Sequence, residues 1–157
     1  MIDGTTIPIN IYTNIDPACA PKGHSVIVSY EMLPIDEFEK AIQEDGNTRG
    51  KAYKALKIRK LNEIIEKLQA ALNIPDLNEH IKVKEAATPI TFKRYTKNFR
   101  GSYVGYMSSF KQIVASLPFQ TPIPNLFIAG QWVNLGGGFQ NTIAGGIKAA
   151  KIALRLR

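Results

Sequence analysis

Residues 125–156 read NLFIAGQWVNLGGGFQNTIAGGIKAAKIALRL, which predicts a short strand, a glycine-rich loop and a helix in succession. The apolar run over residues 126–129 is bounded by Asn125 and Gly130, as a short buried strand is. From about Phe139 the apolar residues recur at helical spacing. The helix carries an apolar stripe of Ile143, Ile147, Ala150 and Leu154, an opposite face marked by Lys148, Lys151 and Arg155, and the small residues Ala144, Gly145, Gly146, Ala149 and Ala153, which keep it thin enough to pack closely.

The three glycines before this helix remove every Cβ from its approach. Gly136, Gly137 and Gly138 therefore permit positive φ angles and allow a ligand to touch the backbone. The free N–H groups and the positive dipole end of the helix N-terminus then form a site for an anion or a cofactor. The loop is not the usual dinucleotide fingerprint, because it lacks the third glycine of GxGxxG and no acidic residue follows about 20 positions on. On spacing alone, a tight turn between strand and helix explains the glycines equally well.

The longer string over residues 123–150 resembles the C-terminal, flavin-contacting segment of the phytoene desaturase-related FAD oxidoreductases. This family includes phytoene desaturases, carotenoid isomerases and retinol saturase-like enzymes. Gln131 stands where many members have Asp, and its amide can still donate and accept hydrogen bonds to a ribityl or phosphate oxygen. The resemblance implies FAD as the cofactor, with contacts from Gly130, Gln131, Gly136, Gly137, Gly138, Phe139, Gln140, Asn141 and Thr142. The glycines would admit the ring edge, and the helix N-terminus would stabilise negative charge on the reduced ring.

The same resemblance extends to two earlier strings. A loop typical of the family's substrate-domain region is matched by Asp16, Pro17, Ala20, Pro21, Gly23 and His24. A string that lies close to the flavin and the substrate channel in the family is matched by Thr88, Pro89, Arg94, Tyr95, Thr96, Asn98, Gly101, Ser102 and Gly105. Tyr103 and Tyr106 are then candidates for lining a hydrophobic substrate tunnel. We assign no catalytic residue and expect no metal site, because His24 has no partner at metal-ligand spacing.

The rest of the chain predicts a mixed α/β fold. Residues 6–12 and 24–31 read as an antiparallel strand pair joined by a proline-rich loop. Residues 33–45 predict a short acidic helix, residues 46–50 a break, and the following residues up to about Asn73 a long helix. The apolar stripe of the long helix comprises Leu61, Ile65, Leu68 and Leu72, and Glu63 with Lys67 makes a favourable i,i+4 pair. Residues 81–95 read as a strand that Pro89 kinks or confines to an edge.

With a soft boundary near Arg100, we expect two parts. Residues 1–100 would form part of a substrate-binding domain, a mixed sheet with helices. Residues 101–157 would form the C-terminal part of an FAD-binding, Rossmann-like domain.

Composition narrows the classes of partner. The chain has 157 residues, a formal net charge of +7 and a single cysteine, Cys19, which excludes an internal disulfide and suits the cytoplasm. No apolar run approaches the roughly 20 residues that span a bilayer, and residues 1–10 do not read as a signal peptide. No nucleic-acid-binding motif accompanies the positive charge, so we expect solvated faces, a protein partner or peripheral contact with anionic lipid.

None of the twelve glycines forms GxGxxG, so the family's N-terminal Rossmann unit is missing from this sequence. We therefore expect a C-terminal fragment that is inactive alone, binds FAD poorly and self-associates through exposed apolar surface. The full-length enzyme would move hydride at a carbon–carbon bond of an extended apolar substrate such as a polyene. Two alternatives stay open: a non-catalytic, basic α+β interaction module, and a fragment of an amine-oxidase-like flavoenzyme.

Overall fold

The computed structural model of the chain describes residues 7–105, 118–133 and 137–155. They form two compact units, one ending at Thr88 and the other beginning at Pro89. Helix predominates, and the described residues contain one two-stranded sheet, so the predicted mixed α/β class is confirmed in outline. None of the helices in the described ranges combines the length and the apolar character that a membrane crossing requires.

The first unit begins with an antiparallel pair of short strands, as predicted. Strand β1 (Ile9–Ile11) pairs with β2 (Ile27–Ser29) in a register that sets Asn10 opposite Val28. The proline-rich loop between them contains two short 3₁₀ turns, Tyr12–Asn14 and Pro17–Cys19. The Asp16 carboxylate accepts a 2.9 Å hydrogen bond from the backbone N–H of Ala18 and so caps the second turn.

Two helices follow on either side of the predicted break. Helix α1 (Ile35–Glu44) ends before Gly46, which has a φ of +67°, and α2 (Lys51–Leu72) starts after Gly50. Gly50 has no side chain with which to cap α2, and Asp45 supplies the cap from outside the helix. Its carboxylate accepts from the backbone N–H groups of Ala52 at 3.0 Å and Tyr53 at 2.9 Å. The break at residues 46–50 is therefore confirmed. A short helix, α3 (Leu77–His80), follows α2.

The core of this unit lies where α1 and α2 meet. Phe38 is fully buried and packs edge-on against Tyr53, with the ring centroids 6.3 Å apart. The hydroxyl of Tyr53 hydrogen-bonds the buried hydroxyl of Thr88 at 2.8 Å, which ties the end of the unit to α2. The predicted stripe on α2 is confirmed at its centre, because Ile65 and Leu68 are buried.

The prediction of a strand over residues 81–95 is wrong. Pro89–Thr96 form helix α4, and the residues before it form no strand. Proline is well suited to a first helical position, where its missing N–H is not needed. The hydroxyl of Thr96 donates to the carbonyl of Phe92 at 2.8 Å and so supports the last turn. Ile81 and Val83, and likewise Thr88 and Ile90, stand two apart as in a strand, but no strand pairs with them within the described residues.

In the part of the chain that the structure describes, the strand predicted over residues 126–129 is also reduced, to one antiparallel bridge between Gln120 and Phe127. The N–H of Ile128 donates to the carbonyl of Phe119 at 2.7 Å, and Asn125 turns the chain with a φ of +61°. Two prolines in this turn lack the N–H groups that a longer ladder would need.

Helix α5 (Phe139–Arg155) starts where the sequence predicts. Its buried residues are the small Gly145 and Ala149. Ala149 packs with Phe119 and Val133 in the core of the second unit. The ring of Phe119 lies 3.6 Å from the point where a Cβ on Gly145 would stand. The apolar stripe, by contrast, faces solvent, with exposed fractions of 63% at Ile143, 53% at Ile147 and 68% at Leu154.

Candidate functional site

A tight turn over residues 130–133 leads into the glycine loop. Gly130 has a φ of +109°, and the N–H of Val133 donates back to its carbonyl at 3.4 Å. Val133 is 3% exposed and anchors the turn in the core of the second unit. Gln131 is half-buried and Trp132 is 37% exposed, so the turn holds these two side chains at the surface on a fixed base.

Gln131 is held by a chain of side-chain amides. Its Nε2 donates to Oδ1 of Asn98 at 3.0 Å. Asn98 Nδ2 in turn donates to the backbone carbonyl of Ser102 at 2.9 Å. All three residues are half-buried, so water competes less for these hydrogen bonds than it would at a fully exposed position. The structure therefore joins Gln131, in the turn before the glycine loop, to the segment that follows α4.

Backbone also meets backbone between these two segments. A Cβ added to Gly105 would lie 2.2 Å from the carbonyl oxygen of Gln131, and one added to Gly137 would lie 2.3 Å from that of Val104. Both distances are far inside van der Waals contact, so only glycine allows the chains to approach this closely. At Gly130 and Gly138 a Cβ would meet open space. Gly137 thus serves the packing of the loop, while Gly130 and Gly138 leave the backbone accessible.

The segment that supports Gln131 is itself strained. Lys97 and Arg100 have φ angles of +60° and +50°. These lie in the left-handed region, which residues other than glycine, asparagine and aspartate rarely adopt. Gly101 has a φ of +68°, and a Cβ there would lie 2.1 Å from the carbonyl oxygen of Pro89. Strained backbone of this kind persists only where its surroundings fix it. Here the strained residues Lys97 and Arg100 flank Asn98. The hydrogen bonds of Asn98 to Ser102 and Gln131 hold this backbone in place.

The first backbone N–H groups of α5 are not used within the helix itself. The N–H of Thr142 makes the first intrahelical hydrogen bond, to Gly138 at 3.0 Å. The N–H groups of Phe139, Gln140 and Asn141 precede it and therefore have no acceptor within the helix. These three residues are exposed, and the first turn carries no acidic side chain. A helix end of this kind favours an anionic or electron-rich group.

Comparison with known proteins adds to this geometry. The chain is 27% identical over 146 residues to prolycopene isomerase 2, chloroplastic, from an Oncidium hybrid cultivar, an alignment that covers 92% of this chain and 24% of that protein. It is 29% identical over 140 residues to a 1-hydroxycarotenoid 3,4-desaturase from a Flavobacterium species, covering 88% of this chain and 26% of the other. The chain is related to the phytoene desaturase-related oxidoreductases. A third member of this group, the all-trans-retinol 13,14-reductase of Danio rerio, is 27% identical over 136 residues, or 84% of this chain and 22% of the reductase.

These phytoene desaturase-related relatives confirm the resemblance that the glycine-loop sequence indicated. The chain spans about a quarter of the length of the curated relatives it matches. No family model and no solved structure matches it.

The residues that the resemblance to phytoene desaturase-related oxidoreductases assigned to a site differ in how they are placed. Tyr103, a predicted tunnel residue, is 49% exposed and packs edge-on against Phe92, with the ring centroids 5.4 Å apart. Tyr106 and Gly136 lie outside the described residues. Arg94 lies over the ring of Tyr95 at 5.3 Å.

The sequence did not identify the role of Asn98, although it lies in a matched string. The signal was present in the spacing of Gly101 and Gly105, which follow it. Two glycines four residues apart beside a polar side chain indicate a close backbone approach. The partner of that approach, the carbonyl of Gln131, could not be found without the fold.

Proposed function

We propose that this chain forms part of the cofactor site of an FAD-dependent oxidoreductase that acts on an apolar substrate of the polyene class. One observation carries the proposal: Gln131, in the turn over residues 130–133, is anchored through Asn98, and Gly137, just before α5, packs against Val104 of the same segment. The prolycopene isomerase, the retinol reductase and the carotenoid desaturase among the relatives favour this cofactor and this substrate class.

The residues of the loop fit a flavin nucleotide. Gly130 and Gly138 both have positive φ angles and open space where a Cβ would stand, so a flat ring or a phosphate can reach their backbone. The exposed N–H groups at the start of α5 can donate to a carbonyl oxygen of the ring or to a phosphate oxygen. Gln131 can bind a ribityl hydroxyl or a phosphate oxygen through its carboxamide.

When bound, the flavin would supply hydride transfer, and the protein would supply orientation and electrostatics. The N-terminus of α5 would stabilise negative charge that develops on the ring. Gln131 would fix the position of the ribityl or pyrophosphate part. Tyr103 and Tyr106 would line an apolar channel that excludes water from the substrate. We assign no proton-transfer residue.

We further propose that the Rossmann unit that holds the adenosine half of FAD comes from additional polypeptide. The glycine-loop unit over residues 101–157 would complete that Rossmann-like domain, and residues 1–100 would contribute to the substrate-binding domain. The solvent-facing stripe of α5, with Ile143, Ile147 and Leu154, gives such polypeptide an apolar surface to cover. On its own the chain should bind FAD weakly and be inactive, because most adenosine and pyrophosphate contacts would be absent.

The test is co-expression of the chain with a Rossmann unit that carries the GxGxxG fingerprint. We expect the purified assembly to be yellow and to release FAD on denaturation, while the chain alone binds FAD with affinity weaker than micromolar. Gln131→Ala should lower the flavin content of the assembly, and Gln43→Ala, an exposed glutamine on α1, should leave it unchanged. A folded assembly without flavin, or tight FAD binding by the chain alone, would refute the proposal.

A further inference from the structure

We propose that Asn98 is a positioning residue that orients the carboxamide of Gln131 towards the cofactor. This inference deepens the proposed function and rests on it, because it concerns the same site. Asn98 lies on the segment after α4 and acts through Gln131, so it need not contact the cofactor itself.

The donor and acceptor pattern fixes the orientation of both amides. The carbonyl of Ser102 can only accept, so the group of Asn98 that faces it at 2.9 Å must be the Nδ2 amine. That leaves Oδ1 of Asn98 facing Gln131, and Oδ1 can only accept. Gln131 must therefore turn its Nε2 towards Asn98, at 3.0 Å. The backbone carbonyl of Ser102 thus sets the direction of both hydrogen bonds, and Oε1 of Gln131 faces away from Asn98.

Backbone contacts around Asn98 and Gln131 keep the two hydrogen-bonded amides from moving apart. Asn98 N–H donates to the hydroxyl of Thr96 at 3.2 Å, which fixes the start of its turn. The carbonyl of Gln131 lies against Gly105, where a Cβ would stand only 2.2 Å away. The two amides are therefore held at both ends, by side-chain and by backbone contacts. A ligand group that binds Gln131 would meet an amide already in place and would lose less entropy on binding.

A double-mutant cycle tests the inference on the flavin-containing assembly, with FAD as the probe. The variants are Asn98→Ala, Gln131→Ala and the double variant, with Asn62→Ala, an exposed asparagine on α2, as the matched control. We expect Asn98→Ala to weaken FAD binding about fivefold in the wild-type background, since an ordinary hydrogen bond contributes about 1 kcal/mol and 1.4 kcal/mol is a factor of ten. In the Gln131→Ala background the same change should weaken FAD binding less than about twofold. Asn62→Ala should have no effect in either background.

The conservative variant Asn98→Asp separates orientation from packing. An aspartate keeps the size of the side chain and an acceptor for Gln131 Nε2, but its second carboxylate oxygen faces the Ser102 carbonyl and repels it. We therefore expect Asn98→Asp to weaken FAD binding at least as much as Asn98→Ala does, whereas wild-type affinity would mean that Asn98 contributes packing alone. An equal loss from Asn98→Ala in both backgrounds would mean that Asn98 only stabilises the fold, and would overturn this inference while leaving the proposed function intact. Absence of flavin from the wild-type assembly would overturn the proposed function, and this inference with it.

Discussion

Two glycine-to-alanine substitutions separate a close backbone approach from simple conformational strain. Gly105 and Gly138 have almost the same φ angle, +91° and +95°. They differ in what a new methyl group would meet. At Gly105 it would lie 2.2 Å from the carbonyl oxygen of Gln131, and at Gly138 it would meet nothing within 4 Å. Gly138→Ala is therefore the matched control for Gly105→Ala.

The magnitudes follow from these two environments. A non-glycine residue in the left-handed region costs about 1–2 kcal/mol, and this cost applies to both variants. The restriction of the unfolded chain by alanine returns about 0.4–1 kcal/mol, again in both. At Gly105 the methyl group must also displace a backbone carbonyl, and overpacking of this kind costs about 1–3 kcal/mol. We expect Gly105→Ala to lower the free energy of unfolding by that last amount more than Gly138→Ala does.

Urea unfolding followed by tryptophan fluorescence measures the difference. Trp132 is the single tryptophan of the chain and follows Gln131 directly, so its emission reports on the turn that Gly105 supports. Gly105→Ala should also weaken FAD binding in the assembly, because a displaced Gln131 carbonyl moves its side chain. Equal unfolding free energies for the two variants would show that residues 105 and 131 are not in contact, and the account of the site would then be wrong.

Three further outcomes test the rest of the structure. Phe38→Ala should lower the unfolding free energy by about 3–5 kcal/mol in denaturant melts, whereas Phe139→Ala, at 90% exposure, should change it by less than about 0.5 kcal/mol. Tyr53→Phe removes the hydrogen bond to Thr88 and should cost about 0.5–1.5 kcal/mol by the same assay. Asp45→Asn should destabilise the chain at neutral pH, because backbone N–H groups at the start of α2 donate to the Asp45 carboxylate and hold its pKa below the usual value. Since that stabilisation is present above the unfolded-state pKa and lost as pH falls through the lower folded-state pKa, melts at decreasing pH should show the wild type converging on the variant.

Local signals explain which parts of the fold were predictable. The break between α1 and α2 was found because Gly46 and Gly50 bracket a short polar run, and glycine at a helix end is a strong local preference. The start of α5 was found because the apolar residues recur at helical spacing from about Phe139, directly after the glycines. The antiparallel pair β1–β2 was found because β-branched residues cluster on both sides of a proline-rich loop.

The two strand predictions that failed, over residues 81–95 and 126–129, share one cause: a second strand to pair with is missing from the described residues. Residues 89–96 are rich in β-branched and aromatic side chains, but a strand forms only where another strand can pair with it. Pro89 is equally suited to start a helix, and that use prevails in the structure. Within the described residues, residues 126–129 likewise form one bridge, from Phe127 to Gln120 of their own turn. At the candidate site, Gln131 could be named from its sequence match, but its hydrogen bond to Asn98 spans 33 positions and follows from the fold alone.

The two sides of α5 connect the fold to the proposed site. At 100° per residue, the side that packs on Phe119 and the stripe through Ile143 and Ile147 lie well apart around the helix. A helix with apolar residues on two separate sides is suited to lie between two layers, and a single layer leaves one of them in water. Small residues on the inner side let Phe119 approach and so fix the axis of α5 against the turn that holds Gln131. The outer stripe then becomes the surface through which additional polypeptide could set the direction of the helix N-terminus. If that surface is covered in the flavin-containing assembly, Ile147→Asp should reduce assembly and flavin content together, while leaving the fold of the chain itself unchanged.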